Sequence, residues 1–158
     1  MDSTVKIYLQ RALNEISTAK LLFAVSNNSK KKQELQIEEE MTFYSAVISH
    51  SYYTIFYSAK AILLSEDIKT QMPDVHKKTY DEFEKHFVNS GILDFKLLEI
   101  YQKMAVRADE LLGIFKDEKW KRGQFTYQTI PQANREPAEQ SIQNALTFVK
   151  NIKLILEK

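Results

Sequence analysis

The sequence predicts an all-α protein: an antiparallel up-and-down bundle of four long helices and one short helix, forming a single domain over 1–158. Three observations lead there. Apolar residues recur at helical spacing through most of the chain. Gly and Pro number 3 each in 158 residues, too few for an all-β domain that turns every roughly 8–12 residues. Hydrophobic residues at 44% and charged residues at 27% give the balance of a globular chain with a real core.

The first helix is expected over 4–26, where Tyr8, Leu9, Ala12, Ile16, Ala19, Leu22 and Phe23 share a face. Asp2, Ser3 and Thr4 offer capping oxygens before it, and Ser26-Asn27-Asn28-Ser29 favours a turn after it. Lys30-Lys31-Lys32 and Glu38-Glu39-Glu40 then frame a polar connection, read as solvated surface. A long helix over 38–66 follows. Its apolar band (Phe43, Tyr44, Val47, Ile48, Tyr52, Ile55, Phe56, Ala59, Ile62, Leu63) alternates with small residues, the pattern of a central, buried helix.

Pro73 breaks that pattern, and a shorter helix over 75–89 turns Tyr80, Phe83 and Phe87 inward before Asn89-Ser90-Gly91. Asp94 caps the next helix, with Leu97, Leu98, Tyr101, Met104, Ala105, Ala108, Leu111, Leu112 and Phe115 in register. The stretch 116–137 holds Trp120, Gly123, Phe125, Tyr127, Pro131 and Pro137, and reads as an ordered loop because its aromatics are costly to leave in water. The final helix, 136–157, repeats Ile142, Ala145, Leu146, Val149, Ile152 and Leu156, with Pro137 in its first turn.

Several function classes drop out on composition. Lys+Arg 22 against Asp+Glu 21 leaves a net charge of +1, so no global field selects nucleic acid or an anionic membrane. With no Cys there is no thiolate zinc site, CxxC pair or Cys nucleophile. Met1 to Lys6 lack the features of a signal peptide, and no stretch reaches the roughly 18 apolar residues of a span, so a cytoplasmic protein off the membrane is expected. No cofactor is implied: GxGxxG and GxxxxGK[ST] are absent. Di-iron bundles use Glu-x-x-His, but Val47, Pro73 and Phe83 stand three residues before His50, His76 and His86, so no metal site is expected. Glu82 and His86 share one helix face, too few ligands for zinc. Lys116, Lys119, Lys121 and Arg122 surround Trp120, with Phe125, Tyr127 and Arg135 downstream; cations among flat rings suit single-stranded nucleic acid.

The run His50-Ser51-Tyr52-Tyr53-Thr54-Ile55-Phe56-Tyr57-Ser58-Ala59-Lys60-Ala61-Ile62-Leu63-Leu64 resembles the hallmark helix of HEPN domains (higher eukaryotes and prokaryotes nucleotide-binding). His76-Lys77, Phe83, His86-Phe87-Val88, Gly91 and Leu93 follow in the order of that family. The resemblance implies an up-and-down bundle that dimerises through its long helices, and a homodimer is expected also from the width of the apolar surface on 38–66. HEPN proteins include metal-independent ribonucleases, many of them toxins, marked by Arg and His with four to six residues between. Others lack the pair and serve as binding partners, often beside a small nucleotidyltransferase.

No arginine here has that histidine. The residues at the required offsets are Leu112, Gly113 and Ile114 after Arg107; Tyr127, Gln128 and Thr129 after Arg122; Gln140, Ser141 and Ile142 after Arg135; and Ile16, Ser17 and Thr18 after Arg11. Cleavage through a 2′-hydroxyl needs a group that moves protons near neutral pH, as imidazole does. Tyr127 stands where the histidine is missing, but an unperturbed phenol titrates near about pH 10. Arg107-Ala108-Asp109 resembles the Arg then Ala-Asp-Tyr of related branches without the Tyr.

The expected function is therefore a non-catalytic HEPN module that binds a nucleotide or RNA, or partners a small nucleotidyltransferase. The alternatives are a toxin-like HEPN ribonuclease with a non-standard site at Arg122 and Tyr127, and a structural adaptor with no nucleic-acid ligand. Arg122, Tyr127 and Arg135 form the expected binding site, with Arg107 and Asp109 as a second cluster and no residue assigned to catalysis.

Overall fold

The computed structural model describes residues 1–115 and 134–158, and every element in them is helical. The order is α1 (Ser3–Ser26), α2 (Ser29–Glu34), α3 (Tyr44–Ser65), α4 (Val75–Phe83), α5 (Phe95–Leu112) and α6 (Arg135–Leu156), with a π-helical turn, Glu84–Val88, continuing α4. Four of these are long, as the periodicity predicts. No described helix is long and apolar enough to cross a membrane.

Helix α3 is the axle. It packs against α1, α4, α5 and α6, and Val47, Ile48, Ser51, Tyr52, Thr54, Ile55, Ser58, Ala59, Ala61 and Ile62 are all fully buried. Small residues at Ser51, Thr54, Ser58 and Ala61 let neighbouring backbones approach, and the hydroxyls of Thr54 and Ser58 donate to carbonyls four residues back. Neighbours within the chain thus cover much of the surface from which the sequence suggests a dimer.

The helix ends follow capping chemistry. Asp2 accepts from the Thr4 N–H at 2.8 Å, Asn28 from Lys31 at 3.0 Å, and Asp94 from Lys96 at 2.7 Å. Two departures from the sequence expectation lie between α1 and α3. The polar connection contains a short helix, α2, and α3 starts at Tyr44 instead of 38. The Ser26 hydroxyl accepts from the Phe43 N–H at 2.8 Å, fixing where α3 begins. Lys32 is buried rather than solvated, because its ammonium donates to the Glu39 carbonyl at 2.7 Å.

At the far end of α3 the chain returns through 66–74. Thr70 and Thr79 meet at 2.7 Å, and Lys60 donates to the Thr70 carbonyl at 3.1 Å, so α3 holds the segment that launches α4. Helix α5 ends at Gly113, whose φ of +61° is the left-handed conformation that glycine adopts without a side-chain clash. Phe115 therefore lies beyond the helix, yet it is buried.

Candidate functional site

The described residues bring polar and aromatic groups together where α3, α4 and the end of α5 meet. Tyr52, on the buried face of α3, has no exposed surface, and its hydroxyl lies 2.8 Å from His76 Nδ1 on the first turn of α4. Burial, and then the nearby Tyr101, Tyr53 and Asp109, hold the Tyr52 phenol well above its ordinary pKa. The phenol therefore keeps its proton, and its hydroxyl shares one hydrogen bond with the imidazole Nδ1.

Desolvation, and then the positive charge of Lys60, push the His76 pKa down to about 4. The imidazole is neutral at physiological pH. Its partly exposed ring is enclosed by Phe56 at 4.4 Å, Tyr53 at 5.9 Å and Phe115 at 6.1 Å between centroids.

Asp109 braces this cluster from the end of α5. It is buried, and its carboxylate accepts from the Phe115 N–H at 2.7 Å while its carbonyl accepts from Gly113 at 2.7 Å. The two bonds reverse the chain after α5 and set Phe115 against Tyr52 and His76.

Arg107 points elsewhere. Its guanidinium donates to the Gln140 side chain at 2.9 Å, the Ser141 hydroxyl at 3.2 Å and the Pro137 carbonyl at 3.3 Å, all on the first turns of α6. Burial lowers its pKa and Glu110 opposes that shift. Two positions apart on a helix is about 200°, so Arg107 fastens α5 to α6 while Asp109 faces α3. Arg107→Ala should cost about 1 kcal/mol of stability, read as a lower midpoint in urea, with Arg107→Lys recovering part of it.

Arg135 is exposed at the first position of α6. Arg122 and Tyr127, with the rest of the basic aromatic stretch, lie outside the described residues. Among the described residues no three His, Asp or Glu side chains gather as metal ligands; Glu82 and His86 pair at 2.9 Å on one face of their helix. The sequence reading gave no role to Tyr52 or His76. They stand 24 positions apart across a loop, and only the conjunction of a buried tyrosine with a histidine just after a Pro73 break hints at them.

Comparison with known proteins adds one consistent theme. A protein of Methanocaldococcus jannaschii named "Putative toxin MJ0605" is 29% identical over 154 residues, covering 98% of this chain and 90% of its own. Another from the same organism, "Putative toxin MJ0142", is 33% identical over 73 residues, 44% of this chain and 48% of its own. No family model matches the chain. No solved structure matches it at a significant level.

Proposed function

We propose that this chain is a toxin-like, HEPN-type helical module that binds a nucleotide or single-stranded RNA without cleaving it. The observation that carries the reading is His76. With Nδ1 engaged by Tyr52 and a pKa of about 4, it is mismatched to proton transfer near neutral pH. In this reading a base stacks on the partly exposed rings of His76 and Tyr53, which stand over the buried Phe56 and Phe115. Arg122, Tyr127 and Arg135 supply phosphate contacts in this reading, since guanidinium offers a planar fork and tyrosine a ring with a hydroxyl. Both relatives' names include the word toxin, which supports a role that harms a cell when unrestrained. A small nucleotidyltransferase partner and a homodimer belong to this reading through the family resemblance.

The second reading is a toxin-like HEPN ribonuclease acting through Arg122 and Tyr127, and the relatives' names agree with its toxin part alone. Incubation with labelled single-stranded RNA in EDTA separates the two. A gel shift with intact RNA is expected, and binding should fall about tenfold in Arg122→Ala and in Arg135→Ala with unchanged melting temperatures. Cleavage that disappears in Arg122→Ala replaces the binding reading with the enzymatic one. Loss of several degrees in both variants, with binding intact, makes those arginines scaffolding.

A further inference from the structure

Helix α1 has two faces. Val5, Leu9, Ala12, Ile16 and Ala19 turn inward and are buried against the bundle. The opposite face carries Ile7, Gln10, Asn14, Ser17, Leu21 and Ala24, all exposed. They recur at alternating steps of three and four residues, the spacing that presents one stripe to a partner helix. Ile7 keeps 53% and Leu21 61% of its surface in water, and about 21 Å of helix separates them.

The flanks of that stripe carry one sign of charge. By helical position Lys6 and Lys20 lie along one edge and Arg11 along the other, and all three are exposed. Among the described residues none of them has an ion-pair partner. Glu15 is the one acid in the helix, and His50 holds it at 2.5 Å. The Arg11 guanidinium is set over the rings of Tyr8 at 5.6 Å and Tyr57 at 5.7 Å, so it meets a partner from a fixed place. A carboxylate brought to this face finds cations on both edges and no unengaged acid to repel it. The polar middle of the stripe, Gln10, Asn14 and Ser17, sets it apart from a helix that lies in a membrane surface. A second copy packed α1 to α1 would bring Lys6, Arg11 and Lys20 against the same cations.

We infer that the outer face of α1 docks an acidic amphipathic helix of a protein partner, with apolar side chains on Ile7 and Leu21 and carboxylates beside Lys6, Arg11 and Lys20. Asn14, central in the stripe, fixes the register by favouring a polar residue opposite.

Selection from a display library of three-heptad helical peptides, randomised at a, d, e and g and presented to the full chain, tests this. Enriched peptides should carry Asp or Glu at e and g. They should bind the Lys6→Glu, Lys20→Glu double variant about tenfold more weakly, since two exposed ion pairs become repulsions. Leu21→Asp should weaken them at least as much, by setting a carboxylate against an apolar side chain. All three side chains are exposed, so both variants should melt as the wild type does. Peptides without an acidic bias overturn the assignment, as does no enrichment at all or equal binding to wild type and variants. A dimer in light scattering that Leu21→Asp dissociates gives the face to a second copy instead. Single-stranded RNA that binds the double variant about tenfold more weakly, with the peptides unaffected, gives it to nucleic acid.

Discussion

Replacing Phe148 with alanine should lower the free energy of unfolding by about 3–5 kcal/mol. Phe148 is fully buried on α6, and its ring lies 5.3 Å from Phe83 of α4 and 5.6 Å from Tyr101 of α5, nearly edge-on to the latter. Three helices therefore meet on one side chain. The space it leaves cannot close easily, because Phe83 and Tyr101 are fully buried and Tyr80 braces Tyr101 edge-on at 5.1 Å. A urea titration would show the midpoint falling with little change in slope. Phe148→Leu keeps most of the volume and should lose clearly less. A loss under about 1 kcal/mol in the alanine variant means that this aromatic cluster is not the joint between α4, α5 and α6.

Lowering the pH from 7.5 to 5 should remove about 1–2 kcal/mol of stability through His76 alone. The sign follows from the two pKa values. Folding holds His76 neutral down to about pH 4, while in the unfolded chain it takes its proton near 6.5. Between those limits the unfolded state binds more protons, so stability is complete above 6.5 and declines as the pH falls toward 4. The range is set below the full shift because the ring is partly exposed and solvent screens it. Burial raises the Glu110 pKa, which acts in the opposite direction, and Glu110 lies well toward the surface. His76→Gln keeps a hydrogen-bond partner for Tyr52 and cannot titrate, so its denaturation midpoint should be nearly flat across this interval. A wild-type midpoint equally flat would mean that His76 is not desolvated.

The bundle was legible because its helices announce themselves locally. The apolar repeat in α1, α5 and α6 and the aspartates at 2 and 94 are signals read within one or two turns, whereas the repeat carries the expected α5 on to Phe115, past the Gly113 that ends it. The start of α3 was not legible, because it depends on Ser26 meeting Phe43 seventeen positions later. Lys32 misled for the same reason: burial was set by a carbonyl on the next turn of the chain, not by its charged neighbours. The candidate site divides likewise. Arg107 and Asp109 stand out as neighbours in sequence, yet helical geometry turns them to different partners. Tyr52 with His76, and Tyr8 with Lys60, come together only through the fold, and no periodicity or motif pairs them.

The seam between α1 and α6 has a kinetic consequence. Val5, Leu9 and Ala12 on α1 and Ala61 on α3 bury themselves in one cluster with Val149 on α6. Joining the two outer helices closes a loop of well over a hundred residues, a cost that the earlier packing of α1 on α3 offsets only in part. While the chain is being synthesised, α1 and α3 can form a hairpin whose inner seam stays open to water until α6 arrives. During that interval the Val5–Ala12 face is free to meet other nascent chains. Shielding this seam, by a chaperone or by a partner made alongside it, would govern how much native protein a cell recovers.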